Sequence, residues 1–382
     1  MTGRSENVIL RVSGVNWEGW KSVEVSRQVD AAAGSFSLGL ADKWRVAQVA
    51  PAIAAGMACE VLAGGDSLIS GYIDNLSINF SPGDHGLTVS GRDKTADLVD
   101  CSAAHEPGFF KKQTVEQLAQ TLAGPFGVEV KLEAEAGQPI EVFKIEEGET
   151  AFLAVDRAAR MRGLLPTPDG RGGLSLGRPG QRRSSTALRQ GENVKAGSVT
   201  YDVSDRFSDY ICKGQKRGTD DDYGESCCGV RGEGRDGGID RYRPLIVRPE
   251  TQVTASDAEQ RAKWEASTRA ARGVSANVTV EGWRQNDGRL WAPGLLIFCD
   301  LPFLHLSREL MIAKVSFSLN MEGGTITGLE LKDPRAFDKD PPEKGNGGSG
   351  GQSGASGKGG GEMQQESANK AWSAHKQITG EE

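Results

Sequence analysis

Three aspartates with helical spacing follow an alternating segment of the chain. Asp93, Asp97 and Asp100 stand four and three residues apart, so on a helix they would share one face. Carboxylates placed in this way could hold a cation or act as an acid and base pair. Asp93, however, directly follows a predicted strand and fits the N-cap of a helix. We therefore favour a structural interpretation, with one capping aspartate and a solvated face.

Two further segments have residue types that suit metal binding or catalysis. The acidic run at residues 220–225 could bind calcium, but it lacks the alternating ligand spacing of an EF-hand, and residues 232–238 hold at best one broken copy of a calcium-binding repeat. His105 and Glu106 could form a catalytic dyad, but no second histidine follows at metalloprotease spacing and Pro107 would interrupt the helix that such a motif needs. We predict loops at all of these positions.

The cysteines are scattered along the chain. None belongs to a C-x-x-C pair, and the four histidines are too far apart to complete a zinc site. Cys227 and Cys228 are adjacent and could form a redox switch, but in a glycine-rich loop we favour two reduced thiols. The prediction is a protein with no catalytic residues, no cofactor and no metal, and hence not an enzyme. The six cysteines are Cys59, Cys101, Cys212, Cys227, Cys228 and Cys299.

Alternation of apolar residues predicts a β-rich first part. Strands are expected at 8–12, 21–27, 35–40, 59–62, 69–80 and 87–91. Their close spacing, with Gly, Asp and Pro between them, is typical of an antiparallel barrel. The turn through Gly64 and Gly65 predicts a hairpin, because glycine tolerates positive φ.

The pattern changes to a helical period after Cys101. Thr114 and Gln117 form a predicted capping box for one helix, and a second helix begins near Thr150. Strands are expected near Val130 and at 174–176, so the sequence predicts a small α/β unit.

Strands return near Lys195 and continue to Leu331. One helix interrupts them at 257–272, with a predicted capping box of Ser256 and Glu259. The fold class is therefore α+β and mainly β, with two antiparallel β-barrel domains, a small α/β unit between them and a flexible Gly-rich C-terminal tail. The expected boundaries are 1–102 for the first barrel, 103–194 for the α/β domain, 195–340 for the second barrel and 341–382 for the tail.

Charge and hydropathy narrow the functional classes. The formal net charge is −7, which gives the whole chain no attraction for phosphate or anionic lipid. The one dense basic cluster, with Arg182, Arg183 and Arg189, lacks interleaved aromatic residues, so a solvated linker is favoured over a DNA or acidic-protein contact. No signal peptide or apolar run long enough for a membrane span is present, and a soluble protein made in the cytoplasm is expected.

The C-terminal tail begins with a linker. Residues 345–361 contain ten glycines and have a root-mean-square reach of roughly 20–25 Å. Beyond them Trp372, His375 and Ile378 could form one stripe of a short helix that docks on a partner, or belong to a frayed tail. The lone tryptophan favours docking.

Three motifs resemble one known family. They are Gly91-Arg92-Asp93-Lys94-Thr95 with the residues that follow to Cys101, the run Gly288-x-Leu290-Trp291-x-Pro293-Gly294, and the run Leu331-Lys332-Asp333-Pro334-Arg335-Ala336-Phe337. In this order, around a helix-containing middle, they resemble the baseplate hub proteins of Mu-like contractile-tailed phages. The resemblance covers roughly residues 5 to 338.

The resemblance implies a structural role. Such hubs are homotrimers in which each subunit contributes two related barrels to a ring, although we find no clear sequence repeat between the two barrels here. The ring joins a six-fold tail tube to a three-fold, membrane-piercing spike. The implied partners are the spike protein, the tail tube and other baseplate proteins, with contact to the tape-measure protein left open. DNA would pass through without specific binding, and the chain itself would not insert into a membrane.

The implied location is the tail baseplate of a virion assembled in the host cytoplasm. Two alternatives stay open. One is the base of a type VI secretion or tailocin spike, which differs in having its spike fused to the same chain, and no β-helical repeat follows Phe337. The other is a β-rich cell-wall polysaccharide hydrolase with paired carboxylates.

Overall fold

The structure of the protein is a computed structural model that describes residues 6–40, 52–81, 85–135, 137–215, 229–249, 253–320 and 324–338. Its first part holds seven strands: β1 (Val8–Val12), β2 (Val15–Trp17), β3 (Ser22–Gln28), β4 (Ser35–Leu40), β5 (Ala58–Ala63), β6 (Asp66–Phe80) and β7 (His85–Asp93). The predicted hairpin is confirmed, since Gly64 and Gly65 connect β5 to β6 with φ of 54° and 92°.

The middle part is the predicted α/β unit. Its elements are α1 (Ala96–Asp100), β8 (Phe109–Gln113), α2 (Val115–Ala123), β9 (Val130–Leu132), β10 (Ile140–Lys144), α3 (Ala151–Arg160), β11 (Leu165–Pro168) and β12 (Leu174–Gly177). The Thr114 and Gln117 capping box is present at the start of α2. Helices α2 and α3 pack on each other around a separate core that includes Leu118, Val155 and Leu176.

The last part returns to strands. They are β13 (Arg182–Arg183), β14 (Leu188–Arg189), β15 (Val194–Tyr201), β16 (Asp209–Gly214), β17 (Val230–Arg235), β18 (Pro244–Val247), β19 (Val274–Glu281), β20 (Leu295–Leu301), β21 (Leu306–Asn320) and β22 (Gly324–Lys332), with α4 (Ala255–Arg272) before β19.

The start of α4 differs from the sequence expectation. The capping box consists of Thr254 and Asp257, not Ser256 and Glu259, and the helix therefore begins two residues earlier. Both pairs have the three-residue spacing of the motif. Val253, which is buried against α4, precedes the true cap and fixes where the chain enters the helix.

One sheet of 14 strands spans the first and last parts of the chain. Its main order is β15-β19-β22-β21-β3-β4-β7-β6-β5-β1-β2. Off this path, β20 pairs with β21, and β13 and β14 pair with the other edge of β20. This order does not close into a ring among the described strands, so closed barrels are not seen. The two parts that the sequence suggests as separate barrels are joined by hydrogen bonds between β3 and β21, and they share one apolar core.

The two β parts repeat the same strand order. The series β3-β4-β7-β6-β5 corresponds to β15-β19-β22-β21-β20. β6 and β21 each have 15 residues, and each has a bulge at the same place relative to its partner, between Ile73 and Asn75 in β6 and between Ile312 and Lys314 in β21. The repeat is one of topology and register, which explains why sequence comparison alone does not show it.

Three smaller sheets accompany the large one among the described strands, and the smallest of them pairs β8 with β10. β11, β12 and β9 form a sheet in the α/β unit, and β17, β16 and β18 form another that packs against α4. Of the helices in the described ranges, none is both long and apolar enough to cross a bilayer.

Candidate assembly surface

The joint between β3 and β21 is the first feature of the surface. Residues 314–319 of β21 pair in antiparallel register with residues 28–23 of β3. Phe317 lies opposite Val25, and neither side chain is exposed to solvent. The joint therefore buries apolar faces from distant parts of the chain in one continuous core.

The segment of β6 that corresponds to this joint has an open edge. Residues 75–80 of β6 pair with β7 on one side, and within the described strands they pair with nothing on the other. Ile78 is 51 % exposed and Phe80 is 85 % exposed. An apolar strand edge of this kind is an obvious template for pairing with another chain.

A second open edge lies at the far end of the sheet. β15 pairs only with β19 among the described strands, and most of its residues are exposed. Tyr201, at its end, is 51 % exposed, and Val203 shortly after it is 44 % exposed. β15 corresponds to β3 in the repeated strand order. The open edge of β15 is therefore the counterpart of the edge of β3 that pairs with β21.

Sequence reasoning identified both strands but neither edge as a site. The alternation of Leu76, Ile78 and Phe80 was the available signal, and it predicts the strand without saying whether its apolar face is covered. The topological repeat supplies that information.

Asp93 takes a different role from the one expected. It is not an N-cap: Thr95 occupies that position in α1 and makes no capping bond. Asp93 is instead buried, and its Oδ1 accepts hydrogen bonds from the backbone N–H and the hydroxyl of Thr95. Burial raises the pKa of Asp93 to about 6, although the hydrogen bonds from Thr95 and the charge of Arg27 oppose the shift.

The surroundings of Asp93 form a junction between the β and α/β parts. Arg27 of β3 lies beneath the turn between β11 and β12, where an added Cβ on Gly170 would be 2.5 Å from the guanidinium carbon of Arg27. The Ser67 hydroxyl donates a long hydrogen bond to the carbonyl of Gly170. Residue 170 has to be a glycine for two reasons: its φ is +75°, and the guanidinium group of Arg27 leaves no room for a Cβ. The junction holds the α/β unit on β3 and β6.

The other two aspartates of the sequence motif do not join Asp93. Asp97 and Asp100 lie in α1, and the exposed Asp100 accepts hydrogen bonds from Arg92, whose guanidinium also contacts Asp74. His105 lies in a loop and stacks on Phe110 with ring centroids 4.4 Å apart. No group of three or more His, Cys, Asp or Glu side chains is arranged to hold a metal ion within the described ranges.

The basic cluster is exposed, as expected, but it is not a linker. Arg182 and Arg183 form β13, which pairs with β20, and Arg183 makes an ion pair with Glu309. The loop expected at 232–238 is wrong for its first part, because Val230–Arg235 form β17, paired with β16. Asp236, which follows this strand, accepts two hydrogen bonds from Arg206 at 2.9 Å. The acidic run 220–225, Cys227, Cys228 and the predicted docking residues Trp372, His375 and Ile378 lie outside the described residues.

Comparison with known proteins gives the class of protein. Residues 7–93 match a model described as Mu phage baseplate assembly protein GpP-like, N-terminal; residues 95–178 match baseplate hub protein gp44-like, second domain; and residues 254–340 match Mu phage baseplate assembly protein GpP, fourth domain. The fold is that of phage tail proteins. The 43 kDa tail protein of prophage MuSo2 from Shewanella oneidensis superposes with a TM-score of 0.78 at 32% identity, covering 87% of this chain and 100% of that one.

Two more relatives support the same class. A tail protein from Neisseria meningitidis MC58 has a TM-score of 0.73 at 25% identity, over 88% of this chain and 98% of the other. Baseplate hub protein gp44 of Escherichia phage Mu is 34% identical over 349 residues, which are 87% of this chain and 89% of gp44. The chain belongs to the Mu gp44-like family of baseplate hub proteins. Its role is structural, as a hub component of the phage tail baseplate.

Proposed function

We propose that three copies of the chain form a ring in which β6 of each copy pairs with β15 of the next. The observation that carries this proposal is the pair of open, apolar strand edges that correspond to the β21 and β3 edges joined within the chain. The same joint, repeated between copies, would alternate with the internal joint around the ring. Three copies then present six similar units, which suits a part that connects a six-fold tube to a three-fold spike.

The internal joint gives the register of the proposed contact. In it Phe317 lies opposite Val25 and Leu319 lies opposite Val23. The strands next to β3 (β4, then β7) and the strands next to β15 (β19, then β22) pair in the same register. By this register Val199 of β15 corresponds to Val25 of β3, and Gly197 corresponds to Val23. Ile78 and Phe80 take the places of Phe317 and Leu319. Ile78 would therefore face Val199, and Phe80 would face Gly197 of the next copy.

The sizes of these residues are complementary. The internal joint places a leucine opposite a valine, whereas the proposed one places the larger Phe80 opposite a glycine. Covering Ile78 and Phe80 would contribute about 1.5–3 kcal/mol for each side chain that becomes fully buried. The three joints of a ring would thus be held by apolar contact as well as by backbone hydrogen bonds.

Val203 supports the same arrangement. Its counterpart Val29 is buried, and the backbone N–H of Val29 donates to the carbonyl of Ala313 at 2.9 Å. Ala313 lies at the bulge of β21, and Asp74 lies at the corresponding bulge of β6. In the ring, the N–H of Val203 would donate to the carbonyl of Asp74 of the next copy, and the exposed valine would be covered.

Light scattering on the full-length protein tests the ring. We expect a mass of three times 40.7 kDa for the natural sequence and a monomer for the double variant Ile78→Lys with Phe80→Lys. Val142→Lys is a matched control, because Val142 is 61 % exposed on β10, away from both edges. A natural protein that stays monomeric at all practical concentrations, or a double variant that keeps the trimer mass, would refute the proposal.

Within the baseplate, the ring would join the contractile tail tube to a separate spike protein and let DNA pass. The net charge of −7 per chain supports a passage that does not retain phosphate. A nitrocellulose filter assay should accordingly show little DNA retention at moderate salt. Tight, salt-sensitive binding by the assembled ring would contradict this part.

The proposed organisation keeps four parts: barrel-like units at 1–102 and 195–340, the α/β domain at 103–194, and the tail at 341–382. Closure of each β part would be completed by the neighbouring copy in the ring. We also propose that the hub, assembled in the host cytoplasm, has no catalytic role, as the structural names of its relatives suggest. A purified protein that cleaves peptidoglycan, and loses that activity on Asp97→Asn or Glu106→Gln, would overturn this.

The tail is proposed to dock on another baseplate component through Trp372, His375 and Ile378. The glycine-rich segment would act as a tether that raises the local concentration of this docking segment. The chain without residues 345–382 should still form a trimer, with a mass lowered only by the deleted residues. Loss of the tail should weaken an assembly step of the baseplate. Full infectivity of phage carrying the truncated hub would show that the tail is dispensable.

A further inference from the structure

The sheet of β16, β17 and β18 is covered on one face. Helix α4 packs there at unusually close range, since an added Cβ on Gly232 would lie 2.2 Å from the backbone of Ala258, and one on Gly234 would lie 2.5 Å from the carbonyl oxygen of Ala262. Tyr210 and Cys212 of β16 point to the same side and are fully buried. The side chains of the intervening residues therefore point to the opposite face.

That opposite face, which we call the basic face, has an apolar centre. Ile211 of β16 and Ile246 of β18 are partners in the parallel register, and Ile246 is 56 % exposed. Tyr242, two residues before β18 begins, is 84 % exposed. Aromatic and aliphatic side chains surrounded by arginines are the composition that protein interfaces favour.

The rim of this centre is cationic. The outward positions of the three strands and the residue after β18 hold four basic side chains, Lys213, Arg231, Arg235 and Arg248, against the two carboxylates of Asp209 and Glu233. Arg231 is already paired with Glu233 at 2.6 Å. The face is thus positive on a chain whose net charge is −7, so its complement is an acidic surface.

We propose that the basic face binds another protein of the tail through an acidic surface with aliphatic side chains at its centre. A nucleic acid fits less well, because the two carboxylates would repel phosphates and the isoleucines at the centre offer no stacking surface for bases, which leaves Tyr242 as the single aromatic ring named on this face. The proposal goes beyond ring formation and uses none of the residues of the proposed joint between copies. That the partner is a tail protein rests on the family to which the chain belongs.

A binding assay tests this proposal. The other structural proteins of the same phage tail are purified, and the affinity of the full-length hub for each is measured separately. For one of them we expect affinity to fall about tenfold or more with Ile246→Asp, and likewise with Arg248→Glu. The affinity of the natural hub should also weaken as salt rises. The matched control is Lys131→Glu, which reverses an exposed cation on β9 in the α/β unit and should leave binding unchanged.

The outcomes separate this proposal from the ring. Light scattering on each variant shows whether assembly of the hub itself is intact, and a variant that keeps the ring but loses the partner supports the basic face. The proposal is wrong if no tail protein binds, or if binding is insensitive to both substitutions. It is also wrong if the natural hub binds a 30-base-pair DNA duplex and the two substitutions abolish that binding instead.

Discussion

Asp93 and Asp333 occupy corresponding places in the two β parts, directly after Arg92 at the end of β7 and after Lys332 at the end of β22. Each is buried, and each accepts a hydrogen bond on Oδ1 from the backbone N–H two residues later, at 3.2 Å from Thr95 and 3.1 Å from Arg335. Their pKa values nevertheless shift in opposite directions. Burial raises that of Asp93 to about 6. For Asp333 burial also acts upward, but the hydrogen bonds and charge of Arg335 outweigh it and lower the pKa.

The first prediction follows from this difference. The folded-state pKa of Asp93 lies above its ordinary value of 3.8, so between those pH values the folded protein binds more protons than the unfolded chain. This group therefore lowers the free energy of unfolding as the pH rises from about 4 to 6, by about 3 kcal/mol in total. Asp93→Asn removes that contribution while keeping an oxygen that accepts from Thr95.

Denaturant unfolding between pH 4 and 7 measures the effect. The free energy of unfolding of Asp93→Asn, minus that of the natural protein, should rise with pH over this range. Asp333→Asn is the control, because a lowered pKa places its titration below the range, and its difference should stay flat. A flat difference for Asp93→Asn as well would contradict the assignment.

The second prediction concerns the approach of α4 to β17. Gly232→Val should destabilise the protein by about 3 kcal/mol or more, because the new side chain would enter the backbone of α4 and force the helix away from its sheet. Gly237→Ala is the control, since no atom of the described residues lies within 4 Å of an added Cβ there, and it should change stability by less than about 0.5 kcal/mol. Thermal and denaturant unfolding compare the two, and equal stabilities would show that α4 can shift at no cost.

These contrasts show what the sequence could and could not predict. Most strands of the large sheet, the capping box at Thr114 and the body of the helix expected at 257–272 follow from local periodicity and local hydrogen bonding, and the structure contains them. The start of that helix and the short strands, such as β2 and β13, were not predicted. The pairing of Val25 with Phe317 depends on contact between distant segments, so no local pattern contains it. The burial of Asp93 was missed for the same reason, because the turn at Gly170 that lies over Arg27 comes from another part of the chain. The open edges of β6 and β15 became visible only through the strand order.

The third prediction is that Cys101 is the reactive thiol among the described cysteines. It is exposed, whereas Cys59, Cys212 and Cys299 are buried, and burial raises the pKa of Cys59 and of Cys299 to about 12. Because the thiolate is the reactive species, Cys59 and Cys299 should react slowly at pH 8.

A background with Cys227→Ser and Cys228→Ser isolates the other four cysteines for the measurement. Reaction with a chromogenic disulfide should then show one fast thiol, which Cys101→Ser abolishes and Cys59→Ser leaves unchanged. A fast phase that survives Cys101→Ser would show that one of the buried strands opens readily.

The last prediction tests the register of the proposed joint between copies. In the internal joint Ser316 of β21 lies opposite Ser26 of β3, and the corresponding residues are Ser77 of β6 and Thr200 of β15. Directly opposed residues on antiparallel strands have Cβ atoms about 4.5–5.5 Å apart, close enough for a disulfide with a small adjustment. The variant Ser77→Cys with Thr200→Cys, made without Cys101, Cys227 and Cys228, should therefore form disulfides between copies under mild oxidation. Denaturing electrophoresis without reductant should show dimers and trimers of the chain.

The control is the variant Val199→Cys with Ser77→Cys, in which one cysteine is moved by a single position. This shift places the two thiols on opposite faces of the sheet. Cross-linking that is equally efficient in both variants, or absent from the first while the protein is trimeric, would show that the copies meet in another register.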